Sequence, residues 1–424
     1  MNYEEAMKYI HKISWLGSKP GLTRTRELLA YMGNPEKKLR FIHIAGTNGK
    51  GSVSAMIASV LSAAGYKTGL YTSPYIVSFN ERMRINGIPI SNSQLAELTT
   101  FVSQYADNMQ DLSTEFELIT AVAFEYFYRN SCDIVVLETG MGGELDSTNV
   151  IDTPELAVIT TIDYDHMNVL GSTMKEIAYA KAGIIKNGGK VVFYGGNPVA
   201  EEVIREKCKK ENAQLLLPDF SRIIKKEITL EKLCFDYERY IDVSIPLVGI
   251  YQFENAALAL KALDTLILND RKIPDEAVYK GMSEVKWQGR FEIIMKNPLF
   301  ISDGGHNPQG VLSAIESFKV QLPGRKAVFL LGIMADKDVD AMIDIVYPYA
   351  ESFVAVTPDN PRAMPAIKLK ECLLKYGLPV TACSDVMEGV QTAIGNAGQK
   401  GIIFSLGSLY MYRDVLASVK QISR

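Results

Sequence analysis

The chain has 424 residues, a length that suits two or three domains with sizeable cores. Its 47% hydrophobic and 22% charged residues are typical of a soluble globular protein. The formal net charge of −4 lacks the basic excess that a general nucleic-acid surface needs, so we expect no nucleic-acid partner.

The cysteines and the N-terminus favour the cytoplasm. Five cysteines are scattered without a CxxC pair, which argues against a disulfide framework and a structural zinc site. Residues 1–5 have no signal-peptide pattern, and no apolar run reaches the length of a membrane span. We therefore expect a cytoplasmic protein with no membrane partner.

The first informative element is a predicted strand, Phe41 to Ala45, followed by the loop Gly46-Thr47-Asn48-Gly49-Lys50-Gly51-Ser52 and a helix from Val53 to Ala64. Strand, glycine-rich loop and helix together bind nucleotide phosphates, through backbone N–H groups and the helix dipole. In such a loop Lys50 would reach the outer phosphates, and Ser52 would bond a phosphate or a metal ion.

The loop departs from the standard P-loop pattern. That pattern has glycine where Ile44 stands and serine or threonine where Gly51 stands. An ordinary glycine-rich turn is therefore the alternative to a phosphate site.

Strand-like and helix-like segments alternate along most of the chain, which predicts an α/β fold with a mostly parallel sheet. Two capping boxes, Thr114 with Glu117 and Thr173 with Glu176, mark helix starts. The pattern between Leu217 and Ile245 leaves strand and helix open. Buried strands are predicted at 133–138, 156–162 and 190–194.

A second, smaller doubly wound domain of the Rossmann-like kind is predicted from residue 287, which gives domains 1–286 and 287–424. Its helices are predicted near 338–346 and 367–374 and at the C-terminus. Its strands are predicted at 299–302, 327–331, 353–356 and 401–405.

Four further groups of residues stand in a fixed order after the loop. They are Tyr71-Thr72-Ser73-Pro74 with Phe79-Asn80-Glu81-Arg82, Glu138-Thr139-Gly140-Met141-Gly142-Gly143 with Leu145-Asp146-Ser147-Thr148-Asn149, Asp165-His166 with Leu170-Gly171 and Lys181-Ala182-Gly183-Ile184, and Asp303-Gly304-Gly305-His306-Asn307-Pro308. Together with the loop they resemble the folylpolyglutamate synthase family, often also dihydrofolate synthases, within the Mur ligase superfamily. Gly51 is a residue that this family carries.

The resemblance implies an ATP-dependent amide ligase with a large P-loop ATPase domain. Such an enzyme phosphorylates a carboxylate of folate or dihydropteroate, and the amine of L-glutamate then attacks the acyl phosphate. We expect a magnesium-dependent, monomeric enzyme of folate biosynthesis and one-carbon metabolism. A carboxylate is a poor electrophile, so the activation by ATP is chemically necessary.

The resemblance also implies roles for individual residues. The expected ATP contacts are Gly46, Thr47, Asn48, Gly49, Lys50, Gly51, Ser52, Asn255, Arg290, Asp303 and His306. The expected magnesium ligands are Ser73, Glu138 and His166, the catalytic residues Lys50, His166 and Lys181, and the substrate-binding residues Asp146 and Arg362. Lys181 is expected to be carbamylated. Each assignment has a structural alternative, such as a turn serine, a strand-end acid, a solvated lysine, or for Asp303 a capped turn.

Three other functions compete with this one. The string Asp359-Asn360-Pro361-Arg362 is associated with a Mur ligase that acts on a cell-wall precursor, but only 45 residues precede Gly46, too few for a UDP-binding domain. A P-loop NTPase switch or kinase is another enzyme class; a GTPase switch would need an Asn-Lys-x-Asp string, and Ala335-Asp336-Lys337-Asp338 lacks the asparagine. A catalytically silent nucleotide-binding protein would not need Lys50, Ser73, Glu138, His166 and Lys181 together.

Overall fold

The computed structural model describes residues 1–13 and 19–422, which form two compact units. The first unit comprises Met1–Ile223 and Glu254–Val285, and the second comprises Ile224–Phe253 and Lys286–Arg424. The domain boundary predicted after residue 286 leaves residues 224–253 in the first domain, whereas their contacts group them with the second unit. The boundary stays a prediction.

An eight-stranded sheet forms the centre of the first unit. Its strands are β1 (Phe41–Ala45), β2 (Thr68–Tyr71), β3 (Met83–Ile85), β4 (Ile88–Pro89), β5 (Ile134–Glu138), β6 (Leu156–Ile159), β7 (Lys190–Phe193) and β8 (Gln214–Leu216). In the order β4-β3-β2-β5-β1-β6-β7-β8, only β3, next to the edge strand β4, runs opposite to the other strands. The predicted mostly parallel sheet is confirmed.

Helices bury both faces of this sheet. Val135 and Leu137 of β5 pack into one apolar cluster, and the alternate residues Ile134 and Val136, which point to the opposite face, are also fully buried. The helices along this part of the chain are α1 (Tyr3–Lys12), α2 (Thr23–Tyr31), α3 (Lys50–Ala63), α4 (Asn92–Ala106), α5 (Glu115–Arg129), α6 (Met167–Leu170), α7 (Met174–Ala182), α8 (Pro198–Lys210), α9 (Gln252–Ile267) and α10 (Asp275–Glu284).

The helix that follows the glycine-rich loop is buried on all sides. In α3 every residue from Gly51 to Ala58 is buried, and Lys50 is the only charged residue of the helix. Helix α10 packs against it so closely that Ser59 Oγ donates to the Gly281 carbonyl at 2.7 Å. A Cβ at Gly281 would lie 2.6 Å from the Val60 nitrogen, so this contact requires glycine.

Both predicted capping boxes are present. Thr114 accepts a hydrogen bond from the Glu117 N–H at the start of α5, and the Glu117 carboxylate accepts the Thr114 N–H at 2.7 Å. Thr173 and Glu176 make the same pair of bonds at the start of α7. These bonds satisfy N–H groups that the first turn of a helix leaves without partners.

The second unit contains two sheets. The stretch that the sequence left open forms an antiparallel sheet of β9 (Ile224–Ile228), β10 (Leu233–Tyr237) and β11 (Tyr240–Ile245). The larger sheet has the order β12-β13-β17-β14-β15-β16, with only β12 antiparallel. Its strands are β12 (Glu292–Met295), β13 (Leu299–Ser302), β14 (Ala327–Leu331), β15 (Ala350–Ala355), β16 (Val380–Ala382) and β17 (Ile402–Leu406).

Helices lie on both faces of the larger sheet, so the predicted doubly wound domain is confirmed. One apolar cluster contains residues of the first three helices, and another contains residues of the last two. The five helices are α11 (Pro308–Gln321), α12 (Val339–Val346), α13 (Ala366–Leu374), α14 (Val386–Ala397) and α15 (Tyr412–Ile422). No helix in the described part of the chain is long and apolar enough to cross a membrane. All five cysteines are unpaired thiols.

Candidate active site

The strand order of the first unit brings the predicted site residues together at the carboxyl-terminal ends of its central parallel strands. Strands β2, β5, β1 and β6 are adjacent and parallel, so the segments that follow them emerge side by side. Ser73 follows β2, Glu138 ends β5, Gly46 follows β1, and Asp165 and His166 come after β6.

The glycine-rich loop is hydrogen-bonded to the segment that follows β6. The Thr47 N–H donates to the Thr161 carbonyl at 2.6 Å, and Thr47 Oγ1 both donates to the Asp163 carbonyl and accepts the Asp163 N–H at 3.0 Å. The loop ends at Gly49, which adopts a φ of +86° as the N-cap of α3. No side chain caps this helix, and Gly51 and Ser52 are buried in its first turn.

Two glycines of the loop lie against side chains that leave no space for a Cβ. At Gly46 a Cβ would be 1.8 Å from Thr160 Oγ1, and at Gly49 it would be 2.6 Å from Asn255 Oδ1. The predicted nucleotide residue Asn255 therefore lies directly against the loop, although it is about 200 positions away in sequence.

Two predicted catalytic lysines converge on one carbonyl group of the loop. Lys50 Nζ donates to the Gly46 and Thr47 carbonyls at 3.1 and 3.2 Å, and Lys181 Nζ donates to the Gly46 carbonyl at 2.8 Å. Lys181 is buried on α7. Burial and, to a smaller extent, the Lys50 charge lower the pKa of Lys181, the Asp165 carboxylate opposes them, and the resulting pKa is about 7.

Two of the three predicted magnesium ligands are brought together. The Ser73 N–H donates to Glu138 Oε2 at 3.4 Å, and Glu138 is buried at the end of β5. Magnesium binds through one or two protein carboxylates, retained waters and substrate phosphates, so a serine hydroxyl beside a buried carboxylate fits this ion. Within residues 1–13 and 19–422, no three His, Cys, Asp or Glu side chains are placed to hold a metal.

His166 lies at the start of the short helix α6, with a φ of 51° and 40% of its side chain exposed. Its Nε2 is 3.9 Å from Asp165 Oδ2, and its N–H donates to Asp165 Oδ1 at 2.9 Å. The Asp165 side chain is only 8% exposed, and its carboxylate also influences Lys181. Sequence reasoning included Asp165 in a motif but gave it no role; an acid just after a strand end was the signal.

Asp146 is buried, and both of its carboxylate oxygens have partners. Oδ2 accepts the Met141 N–H at 2.8 Å, and Oδ1 accepts the Thr148 N–H and hydroxyl at 3.1 and 2.6 Å. Burial raises the pKa of Asp146 in spite of these bonds. A Cβ at Gly140 would lie 2.5 Å from the Phe116 ring and 3.2 Å from Asp146 Oδ2, so ring and carboxylate line the same glycine.

His43, a buried histidine of β1, contacts the loop that contains Asp146. His43 Nε2 is 2.9 Å from Thr148 Oγ1, which already donates to Asp146, so Nε2 carries the proton in this pair. Burial, with a smaller contribution from the nearby Lys186 charge, lowers the pKa of His43 to about 3. His43 is therefore a neutral structural residue in β1.

Arg82 is a residue of this unit whose role sequence reasoning missed. Its guanidinium lies over the rings of Tyr75 and Phe79, at 5.3 and 5.5 Å. Its Nε and Nη1 are buried and have no hydrogen-bond partner among the described residues. Burial raises the pKa of Tyr71, and the positive charge of Arg82 opposes that rise, so the side chains of Arg82 and Tyr71 are neighbours. A half-buried arginine with two buried, unused donors indicates an anionic ligand.

Three predicted residues of the second unit gather at one turn. Arg290 Nη1 lies 2.7 Å from the point where a Gly304 Cβ would stand, and His306 Nδ1 donates to the Gly304 carbonyl at 3.0 Å. Asp303 accepts three hydrogen bonds, from the Tyr251 hydroxyl and the Phe291 and Gly305 N–H groups, all at 2.7 Å. These contacts fit the structural alternative for Asp303, in which its carboxylate holds a turn in place.

Arg362 lies on the loop after β15 of the second unit. Its Nη1 is 3.6 Å from Asp336 Oδ2, its Nη2 is 3.5 Å from the Tyr410 hydroxyl, and half of its side chain is exposed. These contacts are long, so a carboxylate ligand could replace them at little cost.

Comparisons with known proteins agree with this geometry. The family model of the Mur ligase middle domain matches residues 44–263, and that of the Mur ligase glutamate ligase domain matches residues 289–409. The fold and the loop thus define a Mur ligase.

Within that class the similarity is closer. The Bacillus subtilis dihydrofolate synthase/folylpolyglutamate synthase is 38% identical over 99% of both chains. The Mycobacterium tuberculosis folylpolyglutamate synthase complexed with ADP superposes with a TM-score of 0.90 at 28% identity, over 100% of this chain and 99% of that one. E. coli FolC in complex with DHPP and ADP gives 0.87 at 27% identity with the same coverage. The chain belongs to the dihydrofolate synthase/folylpolyglutamate synthase family.

Proposed function

We propose that this chain is an ATP-dependent ligase that joins L-glutamate to a folate, with dihydropteroate as a second acceptor. The observation that carries the proposal is the set of functional groups along one sheet edge. The uncapped start of α3 with Lys50 and the Ser73–Glu138 pair emerge there from adjacent parallel strands, and the Lys181 amine of α7 reaches the same loop. The names of the relatives support the choice of substrates.

The reaction has two steps. An acceptor carboxylate oxygen attacks the γ-phosphorus of ATP and ADP leaves; the glutamate amine then attacks the acyl carbon, loses a proton and expels phosphate. The loop N–H groups and the Lys50 amine hold the phosphates and stabilise the charge of the transferred group. Magnesium, held by Ser73, Glu138 and His166, would neutralise phosphate charge when bound. Asp165 offers a more buried oxygen ligand beside His166.

Lys181 is suited to carbamylation. An amine with a pKa near 7 is largely neutral at physiological pH and can attack carbon dioxide, forming an N–C bond and releasing one proton. The product is an anion beside Lys50, so the repulsion between the two lysines becomes an attraction. The carbamate would then provide oxygen ligands near the loop.

We assign the acceptor substrate to the region around Arg82, Phe116 and Asp146. Phe116 and Asp146 flank Gly140 and offer a ring face and a hydrogen-bond acceptor to a flat heterocycle. The Arg82 guanidinium provides the positive charge that an acidic chain needs in a protein of net charge −4.

Arg82→Met tests this assignment. It should raise KM for the acceptor acid about tenfold and leave KM for ATP unchanged, because a charged hydrogen-bond donor is lost at the acceptor alone. Arg84, which is paired with Glu81 at 3.7 Å, provides the matched Arg84→Met control. An equal rise in both KM values would contradict the assignment.

In the second unit, we assign Arg290, Asp303 and His306 to the nucleotide by their match to the family motif, and Arg362 to the carboxylate of glutamate. The planar guanidinium of Arg290 suits phosphate oxygens. A cytoplasmic location and a monomeric state stay predictions.

The test is phosphate release by the purified protein with ATP, Mg²⁺ and L-glutamate, with dihydropteroate in one reaction and a reduced monoglutamyl folate in another. Release in both reactions indicates a bifunctional enzyme, and release with the folate alone indicates a chain-extending synthase. The string Asp359 to Arg362 motivates a third reaction with a UDP-linked peptide. Release in that reaction alone would overturn the proposal in favour of the cell-wall ligase.

A further inference from the structure

Arg290 stands in a turn, Gly289 to Glu292, whose backbone is unusual on both sides of the arginine. Gly289 has a φ of +67° and Phe291 a φ of +46°. A left-handed conformation is ordinary for glycine, but it is strained for a bulky residue such as Phe291, which is fully buried. Such a conformation persists only where surrounding contacts hold it.

Two carboxylates provide those contacts, one on each side of Arg290. Glu292 Oε2 accepts the Gly289 N–H at 2.8 Å, and Asp303 Oδ2 accepts the Phe291 N–H at 2.7 Å. Each carboxylate oxygen also accepts a tyrosine hydroxyl. Tyr412 donates to Glu292 at 2.6 Å, and Tyr251 donates to Asp303 at 2.7 Å.

The turn is also joined to the glycine that the arginine lies against. The Gly304 N–H donates to the Gly289 carbonyl at 2.9 Å, and the Arg290 guanidinium occupies the space that a Gly304 side chain would take. The backbone of the turn and the position of the guanidinium are therefore set by the same small group of contacts.

We propose that Glu292 and Tyr412 are positioning residues for Arg290. Their hydrogen bonds fix the Gly289 side of the turn, as those of Tyr251 and Asp303 fix the Phe291 side, and the arginine projects from a backbone that cannot rotate. The inference rests on the proposed contact of Arg290 with the phosphates of ATP. It assigns Glu292 and Tyr412 no contact with a substrate.

Tyr412→Phe is the most selective test, because it removes one hydroxyl and keeps the buried ring. It should weaken ATP binding about fivefold, an effect of the size of one ordinary hydrogen bond, and leave KM for glutamate and folate unchanged. Tyr9→Phe removes a comparable tyrosine–carboxylate bond, to Asp107 at 2.8 Å, and should leave ATP binding unchanged.

A double-mutant cycle separates positioning from general stability. ATP dissociation constants are measured by calorimetry for the wild type, Tyr412→Phe, Arg290→Ala and the double variant, with thermal unfolding followed in parallel. In the Arg290→Ala background, Tyr412→Phe should have no further effect on ATP binding. The same loss with and without Arg290, or no loss in either, would overturn the proposal.

Failure of the proposed function has a different signature in the same experiment. The cycle measures binding of ATP alone, so it can be read even if the wild type releases no phosphate with folate and glutamate. If Arg290→Ala itself leaves ATP binding and turnover unchanged, the phosphate role of Arg290 is wrong, and the role of Glu292 and Tyr412 is refuted with it.

Discussion

Both units contain a strand that leads through a turn into a helix, but the start of that helix is uncapped in the first unit and capped in the second. In each, a buried parallel strand runs through a glycine-containing turn into a helix, β1 into α3 and β13 into α11. The start of α3 has no capping side chain, and two lysines, Lys50 of the loop and Lys181 of α7, donate to its loop carbonyls. The start of α11 is capped by Asn307, which accepts the Gly310 N–H at 2.8 Å, and the preceding Asp303 accepts three more donors.

We interpret this difference in capping as one between a ligand-binding helix start and a structural one. Backbone N–H groups at an uncapped helix start are available to an anion, whereas those at a capped start are already satisfied by the protein. We therefore propose that α3 binds phosphate directly, and that the Asp303 turn contributes by holding Arg290.

The largest effect is expected at the catalytic edge of the first unit. Glu138→Ala should lower kcat about 10³-fold while ATP still binds, because the carboxylate assists phosphoryl transfer and the loop holds the nucleotide. Phosphate release and calorimetry measure the two properties separately. Loss of ATP binding in proportion to kcat would show that Glu138 only supports the loop.

The next effect concerns Lys181 of α7, the second lysine that contacts the loop. Lys181→Ala should lower kcat about 10²-fold, with partial rescue by short carboxylates that replace the carbamate. In the wild type, activity should fall as the pH drops through about 7, because the reactive neutral amine becomes protonated below its pKa.

A carbon-13 NMR signal from labelled carbon dioxide should be present in the wild type and absent in Lys181→Ala. Lys175→Ala, on the exposed face of the same helix, is the matched control and should keep the signal. Full activity of Lys181→Ala would exclude a catalytic role for this lysine.

A smaller effect should follow from filling the space at the loop glycine. Gly49→Ala combines a strained backbone with a Cβ 2.6 Å from Asn255 Oδ1, so ATP should bind about tenfold more weakly. Gly33→Ala has nearly the same φ, +83° against +86°, with nothing within 4 Å of the added Cβ. It should reproduce the loss of stability without the loss of ATP affinity.

The smallest effect is expected at the capped helix of the second unit. Asn307→Ala should lower the free energy of unfolding by about 1 kcal/mol, the usual value of an N-cap, and leave the dissociation constant of ATP unchanged. Asn197, which caps α8 ahead of Pro198 in the same way, provides a matched variant. If Asn307→Ala weakened ATP binding and the Asn197 variant did not, the turn before α11 would contribute to ATP binding, as we propose only for the loop before α3.

The sequence was sufficient where the information is local. Strand β1, the loop and both capping boxes were predicted within a few positions, because glycines, caps and a short apolar run act on their immediate neighbours. The start of α3 was placed at Val53 instead of Lys50, since the loop residues that open the helix carry no cap signal.

The sequence was insufficient where the information depends on pairing between distant residues. Glu292 and Tyr412 are 120 positions apart, and neither lies in a motif. Asp303 is evident in the sequence as a motif residue with Gly305 beside it, but its other two hydrogen-bond donors, Tyr251 and Phe291, are brought to it only by the fold. The antiparallel sheet β9 to β11 mixes apolar runs with charge, so its strands had no clear period.

The burial of the first two turns of α3 has a consequence for the response of the enzyme to salt. A helix dipole at a protein surface is screened by dissolved ions, but α3 is enclosed by protein from Gly51 to Ala58 and carries charge only at Lys50. Nucleotide affinity should therefore change less with ionic strength than at a surface phosphate site. The enzyme would then keep its affinity for ATP across a wide range of salt concentrations.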